Sequence, residues 1–259
     1  MKFDDLDRQM RVFETSHDFC VLPDMFIVAR LDGRGFTRLT KELQPFETPF
    51  DERFRDLMVE TARSLMTCGF GIRYAYQQSD EISLLFEPQD QSFGRKERKI
   101  VSLLAGQASA EFSVRLGTPC SFDCRVVQLP NPSRVIDYFR WRSEDAARNA
   151  LSAYCYWTLR KEGFDAQAAT DRCRGLSVAQ RNELLYQRGI NFNDTPLWQR
   201  RGIGVLWETH ETLAANAVTG EPVPVERRRL RIESVLPMKE EYSQFIEQLL
   251  SNPSASWAS

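Results

Sequence analysis

Two short segments carry the residue types that could do chemistry. Residues 30–36 read Arg-Leu-Asp-Gly-Arg-Gly-Phe, and residues 78–81 read Gln-Ser-Asp-Glu. The first sets Asp32 at the end of an apolar run, with Gly33 and Gly35 directly after it. The second sets Asp80 in a polar tip between two apolar runs. Glycines after a strand let backbone N–H groups approach phosphate oxygens, and a following helix start adds a favourable dipole. Mg²⁺ takes oxygen ligands and is usually held by one or two carboxylates plus substrate phosphates. Asp32 and Asp80 would therefore suit Mg²⁺ and a nucleoside triphosphate if the fold brought them together. Singly, each is an ordinary turn containing Asp. Adjacent carboxylates repel, so a built pair implies a raised pKa or a metal. The spacing matches neither a Walker loop nor a dinucleotide fingerprint.

The elements that must position this pair follow from periodicity. Residues 25–31 predict a buried strand, and residues 50–66 carry apolar positions at helical spacing, stopped by Gly69. Residues 72–77 and 82–87 read as strands joined through 78–81. Residues 96–116 predict a second helix, and 122–129 another strand closed by Pro130 and Pro132. This β-α-β-β-α-β order is the ferredoxin-like unit, so the fold class is α+β with a polymerase-type palm. Its central strands are expected to be the first and the one that follows the first helix. The end of the first strand and the hairpin share an edge, which sets Asp32 beside Asp80. Beyond Pro132 the chain reads as mostly helix, with Ser133 as N-cap of a segment reaching about Lys161. Two shorter helices near 166–174 and 178–187, a polar loop at 189–196 and strands near 202–207 and 223–232 complete it. The expected organisation is a palm over 1–132 and a helical part over 133–259 packed on it, with a frayed tail from Ser251.

Composition bounds the function class. The 259 residues carry 42% hydrophobic and 27% charged residues with a net charge of −2, ordinary for a globular protein. That balance argues against indiscriminate coating of nucleic acid but leaves room for local basic patches. No apolar run is long enough to cross a membrane, and the mixed-charge N-terminus lacks a signal core, so a cytoplasmic address is expected. The six cysteines form no CxxC pair, and His17 and His210 lie far from them in sequence, which disfavours zinc. Scarce histidine also weakens a Ser-His or Cys-His hydrolase. Cys120 and Cys124 are expected to be reduced, packed thiols.

Further cations stand at 95–99 (Arg-Lys-Glu-Arg-Lys). A cationic first turn opposes the helix dipole, and phosphate would be its natural partner. Arg142, Asp145 and Asn149 share one helix face, as an internal ion-pair network or a nucleotide-facing one. Arg98, Arg200, Arg201 and Arg227 are candidates for an RNA backbone.

The chain resembles the tRNA(His) guanylyltransferase family, and within it the bacterial and archaeal guanylyltransferase-like members. The match runs from about residue 26 to 206 through ordered motifs. These are 30–36, Tyr-Gln-Gln-Ser-Asp-Glu (76–81), Ser-Phe-Asp-Cys-Arg-Val-Val (121–127), Asp-Tyr-Phe-Arg-Trp-Arg (137–142), Arg-Asn-Glu-Leu-Leu-Tyr (181–186) and Ile-Asn-Phe-Asn (190–193). The resemblance implies a nucleotidyltransferase that extends the 5′ end of tRNA in the 3′ to 5′ direction. By it, Asp32, the Gly33 carbonyl and Asp80 hold two Mg²⁺. Asp32, Gly33, Arg34, Gly35, Phe36 and Thr37, with Ser79, cradle a triphosphate. Lys41, Arg95, Lys99, Arg125, Asn149 and Asn182 match further triphosphate-binding positions. ATP activates a 5′-monophosphate, the 3′-hydroxyl of an incoming GTP or other NTP attacks the activated phosphate, and AMP leaves. A homotetramer is also implied. Where eukaryotic tRNA(His)-specific members carry His-Ile-Asn-Asn, this chain has Ala147, Arg148, Asn149 and Ala150, and Arg181 replaces a family Lys. The missing His favours template-dependent 5′-end repair over strict addition of G at position −1 of tRNA(His). A nucleotide cyclase on the same palm and a non-enzymatic RNA-binding protein are the rivals from other classes.

Overall fold

The computed structural model describes residues 2–215 and 221–251. Helix α1 (Phe3–Thr15) leads into β1 (Phe26–Arg34), followed by the short helix α2 (Phe36–Arg38) and a π-helical turn, Leu39–Leu43. Next come α3 (Glu52–Leu65), β2 (Ile72–Gln78), β3 (Glu81–Phe86), α4 (Glu97–Leu116) and β4 (Ser121–Leu129). The second half contributes α5 (Pro132–Lys161), α6 (Ala166–Cys173), α7 (Val178–Tyr186), α8 (Leu197–Arg201), β5 (Ile203–Ala215), β6 (Pro222–Glu233) and α9 (Lys239–Ser251). All pairings are antiparallel, and the strands form one six-stranded sheet in the order β4-β1-β3-β2-β5-β6.

The expected βαββαβ palm is present, with one correction. The inner neighbour of β1 is β3, the second hairpin strand, not β2, the strand that follows the first long helix. Its cause is the split connection, in which β2 lies one strand further out and the hairpin folds back into the gap. Strands β5 and β6 then extend the same sheet beyond β2.

Both faces of the palm are covered, which is why β2 and β3 are buried almost throughout. Ala29, Leu31, Ile82 and Leu84 pack under α3 and α4 against Met58, Leu65, Leu104 and Phe112. On the other face Val28, Tyr74, Tyr76 and Leu85 pack under α5 and α9 against Val135, Phe139, Tyr242 and Ile246. Successive strand residues alternate between faces. Arg30 and Asp32 therefore share the α5 side with Val28.

The helix ends follow local chemistry. Asp51 caps α3 by accepting the N–H groups of Arg53 and Phe54, and Ser177 with Gln180 forms a capping box on α7. The cap of α5 is Asn131, which accepts from the N–H of Arg134, and not Ser133. Pro132 lacks an N–H and so occupies the first helical position, leaving Ser133 inside the helix. At the outer edge Arg73 donates to Glu87 at 2.6 and 2.8 Å and to the Leu249 and Leu250 carbonyls, closing α9 with a buried guanidinium. The expected frayed tail lies, from residue 252 onward, outside the described residues. Among the described residues no helix is long and apolar enough to cross a membrane.

Candidate functional site

Sheet register builds the site. In the antiparallel β1–β3 pair, Asp32 stands opposite Glu81, and one residue further the Gly33 N–H donates to the Asp80 carbonyl at 3.0 Å. That bond ties the hairpin tip to the end of β1 and sets the two Asp residues side by side. The tip turns at Ser79, which takes a left-handed φ of 52° and directs its hydroxyl to the Asp80 carboxylate at 3.1 Å. Burial pushes the Asp80 carboxyl above the ordinary carboxylate range, and the Asp32 charge adds to the shift, against the opposing backbone and Ser79 hydrogen bonds.

The loop after Asp32 depends on both glycines. A Cβ on Gly33 would stand 2.5 Å from the Phe36 ring, and Gly35 adopts φ +74°. Phe36 is buried between the rings of Phe54, Phe112 and Phe122, so the loop is nailed into the lower core. Arg34 and Gly35 remain exposed at the sheet end. Thr37, Lys41, Ser79 and Asp80 line one cavity of about 200 Å³, together with Phe36, Thr40 and Trp157. The Lys41 ammonium lies over the rings of Tyr156 and Trp157 at 5.4 and 5.6 Å, which holds a cation at the mouth of this cavity. A neighbouring cavity, sharing Thr40 and Ser79, is walled by Phe50, Arg55 and Trp198.

The other sequence candidates divide by location. Arg125 pairs in register with Arg30 on the α5 side of the sheet, exposed, with its guanidinium 3.8 Å from Asp123. Asn149 is exposed on α5 and donates to Asp145 at 3.1 Å. Asn182 on α7 donates to the Val178 carbonyl and lines a separate surface hollow with Tyr186 and Asn193. Arg95 and Lys99 stand at the other end of the sheet. Arg95 is buried and donates to the Met25 carbonyl at the start of β1. At about 3.3 Å per residue, Met25 is about 23 Å from Asp32. The cationic stretch finds a partner within the chain, since Asp18 pairs with both Lys96 and Arg98 and is held down to about 2 by them. Arg200 is buried and donates to the Asn193 and Thr195 carbonyls, and Arg201 donates to that of Leu236. Arg227 is exposed on the β5–β6 ribbon opposite His210.

The donor set suits a hard cation. Asp32, Asp80 and the Gly33 carbonyl are all oxygen donors, and Asp80 is raised chiefly by burial, with the Asp32 charge adding to it. Among the described residues no group of three or more His, Cys, Asp or Glu side chains is gathered for a metal. A cation here would complete its shell with phosphate and water oxygens, as Mg²⁺ does. Cys124 is a free thiol on β4, and burial lifts it to about 12.

Sequence reasoning missed how Glu81 is used. Its carboxylate accepts both the Nε and Nη2 bonds of Arg142 on α5, at 2.7 and 2.8 Å, with Arg30 at 3.7 Å. The polar stripe on α5 was the available signal, but its partner across the fold was not readable. The aromatic clamp of Tyr156 and Trp157 on Lys41 left no local pattern either.

Comparison with known proteins places the sequence and the fold. The family model for tRNA(His) guanylyltransferase (Thg1) matches residues 7–130, and that for the Thg1 C-terminal domain matches residues 133–245. The probable tRNA(His) guanylyltransferase of Mus musculus is 33% identical over 240 residues, covering 86% of this chain and 80% of the relative. The Neurospora crassa tRNA(His) guanylyltransferase is 35% identical over 204 residues, covering 74% and 69%. A bacterial Thg1-like protein solved with GTP superposes with a TM-score of 0.72 at 26% identity, covering 96% of this chain and all of that one. The Saccharomyces cerevisiae tRNA(His) guanylyltransferase structure gives 0.69 at 27% identity, covering 75% and 91%. The chain belongs to the tRNA(His) guanylyltransferase family and is a nucleotidyltransferase.

Proposed function

We propose that the protein adds a nucleotide to the 5′ end of tRNA at the end of β1, with Asp32 and Asp80 as its catalytic carboxylates. The observation that carries the reading is the Gly33–Asp80 hydrogen bond, which joins the two carboxylates beside the Lys41 cavity. Asp32, the Gly33 carbonyl and Asp80 would hold two Mg²⁺. When bound, these would offset charge on the transferring phosphoryl group and on the attacking and leaving oxygens. The backbone of residues 33–37 and Ser79 would receive the triphosphate, and Lys41 would face its terminal charges. The 3′-hydroxyl of the incoming nucleotide would attack the activated 5′ phosphate, forming the new phosphodiester as the bond to AMP breaks.

The names of the curated relatives support guanylylation of tRNA(His) as the first substrate reading. One observation favours a second. Ala147 and Ala150 replace polar positions flanking Asn149, which fits nucleotide choice by pairing with the opposite strand. The names of the bacterial neighbours, one with GTP and one with ATP, fit both readings. The test offers 5′-truncated tRNA(His) and a truncated tRNA of different sequence, each with the four NTPs. Guanine added only to tRNA(His), whatever the opposing base, supports the first reading. Addition that follows the opposing base supports repair.

Arg95 and Lys99 stand too far along the palm to serve Asp32 and Asp80 of their own chain. In a cytoplasmic homotetramer, the assembly the resemblance implies, Lys99 would serve the site of another copy, while Arg95 is held within its own chain by the Met25 carbonyl. Light scattering together with complementation between Asp80→Ala and Lys99→Ala chains tests this. Activity regained on mixing supports shared sites, and none regained rejects them.

A further inference from the structure

We propose that Arg142 is a positioning residue for Asp80: it clamps Glu81 to α5 and so sets where the neighbouring carboxylate stands relative to Asp32. The inference rests on the reading of Asp32 and Asp80 given above. Asp80 is the last residue of the hairpin tip, where the Ser79 hydroxyl donates to its carboxylate, and two further points hold the tip around it. One is its own carbonyl, held by the Gly33 N–H. The other is the Glu81 side chain, held by the two parallel bonds from Arg142 at 2.7 and 2.8 Å. Arg30, two residues before Asp32 on β1, approaches the same carboxylate at 3.7 Å. Glu81 is therefore hydrogen-bonded from the helix that covers it and faces a second cation on the strand that carries Asp32.

The clamp is enclosed and supported. The side chains of Arg142 and Glu81 are 11% and 14% exposed. Arg142 also lies 3.3 Å from Asp145, and its guanidinium carbon stands over the Trp141 ring at 4.7 Å. A planar fork that donates through two nitrogens sets orientation as well as distance, which a lysine ammonium cannot do. A bridge that only fastened α5 to the sheet would need charge and no particular plane. Arg142→Lys separates these roles, because it keeps the charge and loses the fork.

The experiment compares wild type, Arg142→Lys, the double variant Arg142→Gln/Glu81→Gln and Asp80→Ala. Three quantities are read: the affinity for Mn²⁺–GTP from water-proton relaxation, the affinity for GTP with EDTA, and thermal stability. Nucleotide addition to a 5′-truncated tRNA is titrated with Mg²⁺ alongside. The expected result for Arg142→Lys is five- to tenfold weaker Mn²⁺–GTP binding and a matching rise in the Mg²⁺ needed for half-maximal activity. Metal-free GTP binding and the melting temperature stay near wild type. Should Arg142→Lys fail to fold, the double variant, which removes the Arg142 and Glu81 charges together, is expected to give the same metal-specific loss. Metal affinity unchanged in folded variants overturns the proposal. Full activity in Asp80→Ala instead overturns the underlying site reading, and abolished activity there with a normal Arg142→Lys rejects the clamp alone.

Discussion

The two ends of β1 carry opposite kinds of charge and treat it in opposite ways. At the Met25 end, the basic stretch 95–99 is the most strongly charged segment of the palm, yet its cations are largely matched. Arg95 is buried on a carbonyl, and Asp18 holds Lys96 and Arg98. At the Asp32 end, two carboxylates meet where burial and mutual repulsion raise Asp80. Charge density and functional charge therefore part company in this fold. What marks the proposed site is that, among the described residues, its carboxylates have no cationic partner, since unmatched charge is what a metal or a triphosphate can match.

The sharpest way to break this comparison is to remove the unmatched carboxylates. Asp32→Ala or Asp80→Ala is expected to lower nucleotide addition at least ~100-fold, the scale seen when groups that organise charge in a transition state are lost. Gel analysis of 5′-labelled tRNA checks this, and EDTA added to wild type is expected to match it. The same Asp80 change relieves repulsion, so Asp80→Asn is expected to leave the metal-free melting temperature unchanged or raise it by about 1–3 °C. A fall of several degrees would mean that the pair is already compensated within the fold.

At the matched end the expected losses are in stability. Arg95→Ala removes a buried donor from the Met25 carbonyl and is expected to cost about 1–3 kcal/mol, read by denaturant unfolding. A third measurement uses acid and a matched carboxylate at the Asp32 end, in the wall of the cavity that shares Ser79. Asp51 is held at about 2, chiefly by its bond to the Arg53 side chain, with N–H bonds from Glu47, Arg53 and Phe54 adding to the effect against burial. Because the folded value lies below the unfolded one, this stabilisation is complete above about pH 4 and is lost as pH falls toward 2. Asp51→Ala should cost about 1 kcal/mol at neutral pH through the lost α3 cap, and its stability should fall less steeply between pH 4 and pH 2. The smallest effect is expected at Arg98. It is exposed and paired with Asp18, so Arg98→Ala should shift melting by less than about 1 °C. Its nucleotide addition by a single chain's own site should stay within about twofold of wild type.

The outline of the palm was legible because its signals are local. Apolar runs ending at Asp32 and Gln78, the helical period of 50–66 and the breaks at Gly69 and Gly117 each act over a few residues. Their order then implied the adjacency of Asp32 and Asp80. The neighbour of β1 was misread, since strand order inside a sheet depends on how the hairpin folds back and leaves no mark in periodicity. The fates of the arginines were also hidden. Arg142, Arg200 and Arg98 look alike in sequence, but one meets a carboxylate on the facing strand, one meets carbonyls of its own loop, and one meets Asp18. Such partners are distant in the chain or depend on loop shape, so no spacing rule finds them.

The contact between Gly33 and Phe36 has a consequence for how this enzyme can vary. Phe36 belongs at once to the loop proposed to receive the triphosphate and to the aromatic packing with Phe112 and Phe122. The interior and the proposed reaction centre thus share one part, with no compliant joint between them. A change in the interior as mild as Phe112→Leu would register first as altered turnover, well before the protein lost its shape. Divergence in this lineage is then freest on the outer helices, while the aromatic interior and the loop must change together.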